Sequence, residues 1–225
     1  MAMRQGAMEA VEARGIGDAL RAMAERDGSN AHRYVHGEEL NSGPFAARNL
    51  ADAAHYLCLL HGRHPGVVDF AAEKTAEPEA RKWLEQAIDG FSRERIFIGN
   101  LTVAAGPQPS TVGHTESEQA VLAQRHAIET LAQSERKGCA LGAAAALVID
   151  WREIRSVLNA AADKLSVEAP GCQLPDSEET YAMIDALGGS PALRRAIAFG
   201  AEQVLVQHRG LWDLLEAREA AREDW

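Results

Sequence analysis

The chain has 225 residues, 46% of them hydrophobic and 25% charged, the proportions of an ordinary folded domain long enough to bury a core. Its formal net charge of −10 removes the basic patch that nucleic acid or an anionic membrane surface requires, so neither partner is expected. Cys58, Cys139 and Cys172 are scattered and odd in number, which predicts reduced thiols, and with no apolar leader pattern at Met1–Glu9 it predicts a cytoplasmic protein.

Taken in order, residues 7–26 carry Met8, Val11, Leu20 and Met23 at helical spacing, with a break expected near Gly15–Asp18 because interior glycines each cost about 1 kcal/mol. Residues 27–43 are rich in Gly, Ser and Asn and predict a loop. Ser42-Gly-Pro44 predicts the start of a helix whose buried stripe is Leu50, Ala53, Leu57 and Leu60. His61-Gly-Arg-His64-Pro-Gly66 ends it, since Gly62 and Pro65 do not continue a helix cheaply. A short helix through Val67 and Phe70 follows, and then a longer one opened by Pro78. The β-branched run Arg95–Val103 has some strand character, but a lone strand has no partner, so it is read as helix.

Residues 106–114 are rich in Gly and Pro and predict a loop. Thr115-Glu-Ser-Glu118 has the form of a capping box opening a long helical stretch to Leu165. The polar Ser134–Lys137 predicts a solvated kink within it. At its centre residues 139–149 carry no charge on any side, which requires burial on every side yet is too short to cross a bilayer. Residues 166–176 read as loop. Asp176-Ser177 caps a short helix ended by Gly188-Gly189, and Ser190-Pro191 starts the last helix, with Leu193, Ile197, Val204, Leu211 and Leu215 on one face. The expected architecture is all-α: a single domain, 1–225, of six to eight helices around the central buried helix 139–149.

Two features carry candidate function. Gly138, Gly142 and Ala146 recur every four residues, a spacing that lets a second helix backbone approach closely, either as tight internal packing or as the floor of a groove. Several polar residues also interrupt apolar faces. His208 follows Val204 and precedes Leu211, Asp150 lies between Leu147 and Ile154, and Glu94 lies between Phe91 and Ile98. A carboxylate buried alone costs several kcal/mol, so Asp150 requires a partner on another helix, with His208 the first choice and Arg95 the second. His126 and Glu129 sit three apart, as do Asp52 and His55.

If His126, Glu129, Asp150 and His208 converged, they would form an interior binding pocket for a small ligand or a metal ion. Glu-x-x-His, His-Glu-x-x-His, Cys-x-x-Cys, phosphate-loop and Gly-x-Ser-x-Gly patterns are all missing, so no metal is expected and no cofactor is indicated. Two functions follow. The first is a non-enzymatic protein that self-associates or binds a partner, which predicts a dry, filled core. The second is a small-ligand or metal-binding bundle with an interior polar pocket.

Overall fold

The computed structural model describes residues 15–108 and 113–223. Among them are ten α-helices, one 3-10 turn and no strand, so the protein is an all-α bundle. The helices are α1 (Ile16–Asp27), α2 (Arg33–His36), α3 (Glu38–Asn41), α4 (Ala46–His61), α5 (Val67–Lys74), α6 (Pro78–Ala105), α7 (His114–Ala132), α8 (Cys139–Leu165), α9 (Ser177–Ala186) and α10 (Pro191–Glu223).

The count exceeds the expected six to eight because the glycine-rich stretch after α1 is not a plain loop. It folds as the 3-10 turn Ser29–Ala31 followed by α2 and α3, each a single turn of helix. Buried Tyr34, Val35 and Leu40 hold it against the core, which periodicity over so few residues does not reveal. The expected start of a helix near residue 7 lies outside the described residues; α1 begins at Ile16, just after Gly15. Arg95–Val103 is helical throughout, as the last third of α6.

Two local expectations fail around α7. The helix begins at His114, one residue before Thr115, and its N-cap is the left-handed Gly113 without a side-chain bond. Thr115 therefore lies inside the first turn and closes no capping box. The chain also does more than kink at Ser134–Lys137. It leaves the helix after Ala132 and re-enters it at Cys139 through Gly138, whose φ of 89° suits glycine alone. Farther along, Asp176 accepts from Glu179 N while the Glu179 side chain reaches back to Asp176 N, so the expected cap of α9 is a full capping box.

α8 is the axis of the bundle. Every residue from Cys139 to Trp151 is buried, as α4, α5, α6, α7 and α10 surround it. Against α10 the small residues act by bringing backbones together: a Cβ at Gly142 would lie 2.0 Å from Ile197 O, and one at Gly200 would lie 2.1 Å from Cys139 O. Gly138 meets Leu193, Gly142 meets Ile197 and Asp150 meets His208, so α8 and α10 run in the same direction. The second long helix returns to parallel through the 166–176 loop and α9.

Candidate functional site

The site is a chain of buried polar groups crossing the core from α1 to α4. Gly28 ends α1 with no side chain, and a Cβ there would sit 2.8 Å from Asp150 Oδ1. That close approach lets Ser29 clamp the carboxylate: Ser29 N–H donates to Asp150 Oδ1 at 2.7 Å and Ser29 Oγ–H to Oδ2 at 2.6 Å. Trp212 Nε1–H donates to Ser29 Oγ at 2.8 Å. His208 Nδ1 bonds Asp150 Oδ2 at 2.6 Å, and His208 Nε2 faces His61 Nε2 at 2.9 Å. Asp150 is 4% exposed, His208 0% and His61 5%.

The proton positions in this chain are ordered from its inner end. An indole nitrogen only donates, so the Ser29 hydroxyl accepts from Trp212 and gives its own proton to Asp150. The carboxylate accepts, so the proton on His208 lies on Nδ1. With that ring carrying the Nδ1 proton alone, Nε2 presents a lone pair and the bond between the two rings is one in which His61 donates Nε2–H. His61 Nδ1 is left as an acceptor with no partner among the described residues. Burial, reinforced by the adjacent His208 and by the Arg95 charge, holds the His61 pKa well below the ordinary imidazole value. The ring is therefore neutral at neutral pH. Trp151 and Phe91 pack edge-on to it, with centroids 5.6 and 6.3 Å away, and fix its plane.

His61 lines a narrow cleft with Phe91, Gly66, Arg63, Arg125 and Glu129. Its enclosed part is about 20 Å³, room for one water-sized group. A ring with a defined acceptor at the bottom of such a cleft can hold a hydroxyl or a water. It can also pass a proton inward, from His61 to His208 to Asp150, by shifting each proton along its existing bond.

Of the four residues singled out from the sequence, the structure brings Asp150 and His208 together. Glu129 stands at the mouth of the cleft, between Arg63 and Arg125. His126 is exposed on the outer side of α7 and does not join the others. Ser29, His61 and Trp212 were not anticipated. His61 lies four residues after Leu57, on the same apolar stripe, and so carried the signal that identified His208. Its place in a helix-terminating sequence masked that signal. Ser29 lies in a turn, where no periodicity marks a buried residue.

Two further buried carboxylates, Glu94 and Asp52, are held by bonds between elements. Glu94 accepts from Trp151 Nε1 at 2.9 Å and pairs with Arg155, which also bonds Pro170 O and so ties α6 and the 166–176 loop to α8. Asp52 pairs with Arg222 at 2.5 Å and accepts from Gln108 at 3.1 Å, while its sequence neighbour His55 bonds Gly106 O at 2.8 Å. These contacts fasten α4 to α10 and to the loop after α6.

Among the described residues, His32, Asp213 and Glu216 bring one ligand atom each within 4.8 Å of one another, close enough to share a cation. Their bonds do not suit one. His32 Nδ1 accepts the Tyr34 N–H at 3.3 Å, so Nε2 carries the ring proton and donates it to Asp213 at 2.9 Å. Glu216 is engaged by Arg33 at 2.8 Å. Coordination at Nε2 would require that nitrogen to lose its proton while Nδ1 still accepts one.

The chain belongs to a family of unknown function, DUF6975, whose model matches residues 24–223. That span contains every member of the Ser29–Asp150–His208–His61 chain. No curated protein and no solved structure matches the sequence. No described helix is long and apolar enough to cross a membrane.

Proposed function

We propose that the protein binds a small polar molecule in the cleft over His61, and that Asp150 and His208 hold that imidazole in the tautomer that receives it. The observation that carries this reading is the ordered hydrogen-bond chain ending at His61 Nδ1. Four polar groups buried in an apolar bundle are costly to desolvate, and packed hydrophobic residues of similar volume would stabilise the fold as well or better. A chain that satisfies all its inner members and leaves an acceptor at a cleft matches the design of a binding pocket, in which few polar groups are set among apolar ones. The same relay would let a bound hydroxyl or water give up a proton, so proton-transfer chemistry is within its reach.

Nitrogen-15 NMR of histidine-labelled protein tests the reading. The expected result is a neutral His61 protonated at Nε2 beside a His208 protonated at Nδ1, with the His61 Nδ1 resonance responding first when small hydroxyl compounds are screened. A His61 protonated at Nδ1 would point the donor the wrong way and remove the reading.

A second reading, self-association or partner binding, is favoured by a different feature. A groove of about 390 Å³ between α7 and α10 is lined by Ile128, Leu131, Cys139 and Phe199, and Phe199 is 43% exposed. Sedimentation of the wild type beside Phe199→Ser distinguishes the two: a dimer lost in the variant would favour association through this face.

A further inference from the structure

We propose that the ligand of the His61 cleft is a small carboxylate, and that Glu129 occupies the place of the ligand's carboxylate between Arg63 and Arg125. This rests on the reading of the cleft as a binding site and names the class of molecule it takes.

The geometry at the mouth is looser than that of most of the protein's arginine pairs; Arg218, also 3.7 Å from its carboxylate Asp52, differs in bonding Ser117 Oγ at 3.1 Å. Arg222 meets Asp52 at 2.5 Å and Asn49 at 2.6 Å, and Arg21 grips Glu178 through two bonds of 2.6 and 2.8 Å. Glu129 Oε1, by contrast, lies 3.7 Å from Arg63 Nη1 and 3.6 Å from Arg125 Nε, attracted by both but hydrogen-bonded to neither. Arg125 Nε–H is buried and makes no hydrogen bond. Its Nη1 reaches Leu59 O only at 3.5 Å, and its other donors have no protein partner among the described residues. A guanidinium presents five N–H donors in a fork shaped for a carboxylate, and this one is almost unused.

The local charge agrees. Arg63 and Arg125 line the cleft and Arg95 lies behind Gly66 and Phe91, whereas Asp69 and Glu129 are the carboxylates set against them, Asp69 bound to Arg95 and Glu129 loosely shared. Three cations against two anions leave one positive charge beside His61, in a chain whose net charge is −10. That excess is where an incoming anion would settle. Because the enclosed end holds only a water-sized group, the ligand must be short. Its carboxylate meets the arginines at the mouth, and a hydroxyl or bound water meets His61 within. Glu129 is tethered to α7 and closes on neither arginine, so a free carboxylate can displace it.

Carbon-13-labelled glycolate and acetate, titrated by NMR into wild type, Glu129→Gln and Arg125→Gln, test the proposal, with circular dichroism showing that each variant is folded. Saturable binding is expected, tightened about tenfold in Glu129→Gln and lost in Arg125→Gln, with glycolate also moving the His61 nitrogen resonance. The same pattern without any response at His61 would sustain the carboxylate site and sink the role given to His61 above. No saturable binding up to about 100 mM in wild type or Glu129→Gln would overturn the carboxylate proposal, leaving the His61 tautomer to be judged by its own experiment. Inorganic phosphate binding as tightly as glycolate would overturn the assignment to carboxylates.

Discussion

The contact between α8 and α10 solves one packing problem in two ways along its length. Near Gly142 and Gly200 the backbones themselves meet, with no room for a methyl group on either side. Farther along the same two helices, at Asp150 and His208, the gap is bridged by side chains that are polar, buried and hydrogen-bonded to each other. The first stretch is what a dry, filled core looks like, and the second is what a pocket's inner wall looks like. Close packing at one end limits how far the helices can slide past each other, and that register sets the 2.6 Å bond at the other. The buried polar pair thus sits on a seam whose other end is closely packed.

The sharpest way to break the comparison is to insert bulk at the glycine end. In Gly142→Leu the new side chain would enter the space of Ile197 backbone atoms, which do not yield as a flexible side chain would. A loss of more than about 4 kcal/mol is expected from urea denaturation, with failure to fold as its extreme. A loss below about 1 kcal/mol would mean that the helices can part freely, and the register argument would fall.

At the polar end, Asp150→Ala strands Ser29 N–H and His208 together and should cost on the order of 3 kcal/mol. With His208→Ala added, the combined loss should be smaller than the sum of the two single losses, because the stranded imidazole is gone. Denaturant melts of the four proteins measure this directly. Strict additivity would show that the two groups do not act as a unit, and the directed chain to His61 would lose its anchor.

The seam was legible in the sequence to different depths. Gly142 and Ala146 announced close approach by their spacing, and Asp150 and His208 announced burial by interrupting apolar stripes. Pairing them followed from the cost of leaving a carboxylate alone. Direction was harder: the parallel course of α8 and α10 depends on a return through α9 that no local pattern encodes. His61 was hidden because glycine and proline after it signalled an ending, and endings are ordinarily exposed. Ser29 was hidden because a single turn of 3-10 helix has no period to read. The capping box at Thr115 failed for a related reason, since Gly113 had already started the helix in a conformation that leaves Thr115 within the first turn.

A smaller effect, about 1–2 kcal/mol between pH 7 and pH 5, should come from His61. Its pKa in the folded protein lies below that in the unfolded chain, about 6.5. As the pH falls below that value the unfolded state takes up the proton and the folded state does not. Stability is thus fully present above about pH 6.5 and declines toward the folded value, by up to about 1.4 kcal/mol per pH unit. His61→Gln should flatten this slope in melts across the same range. A wild type as stable at pH 5 as at pH 7 would show that the buried ring accepts a proton without penalty.

The smallest effect tests why two histidines with similar sequence credentials part company. His126 was grouped with His208 because a glutamate follows it by one helical turn. On α7, however, the buried residues are Ser117, Val121, Ile128, Leu131 and Ala132. At about 100° per residue His126 stands roughly 200° from Ile128 and 140° from Val121, on the opposite side of the helix. His208 falls within the stripe of its own helix, and its ring is completely buried. His126→Ala should therefore change stability by no more than about 0.5 kcal/mol and leave glycolate binding as it was, whereas His208→Ala should harm both. If His126→Ala weakened glycolate binding while the protein stayed folded, the ligand would have to extend past the arginines onto the outer face of α7. The cleft would then be the inner part of a larger site.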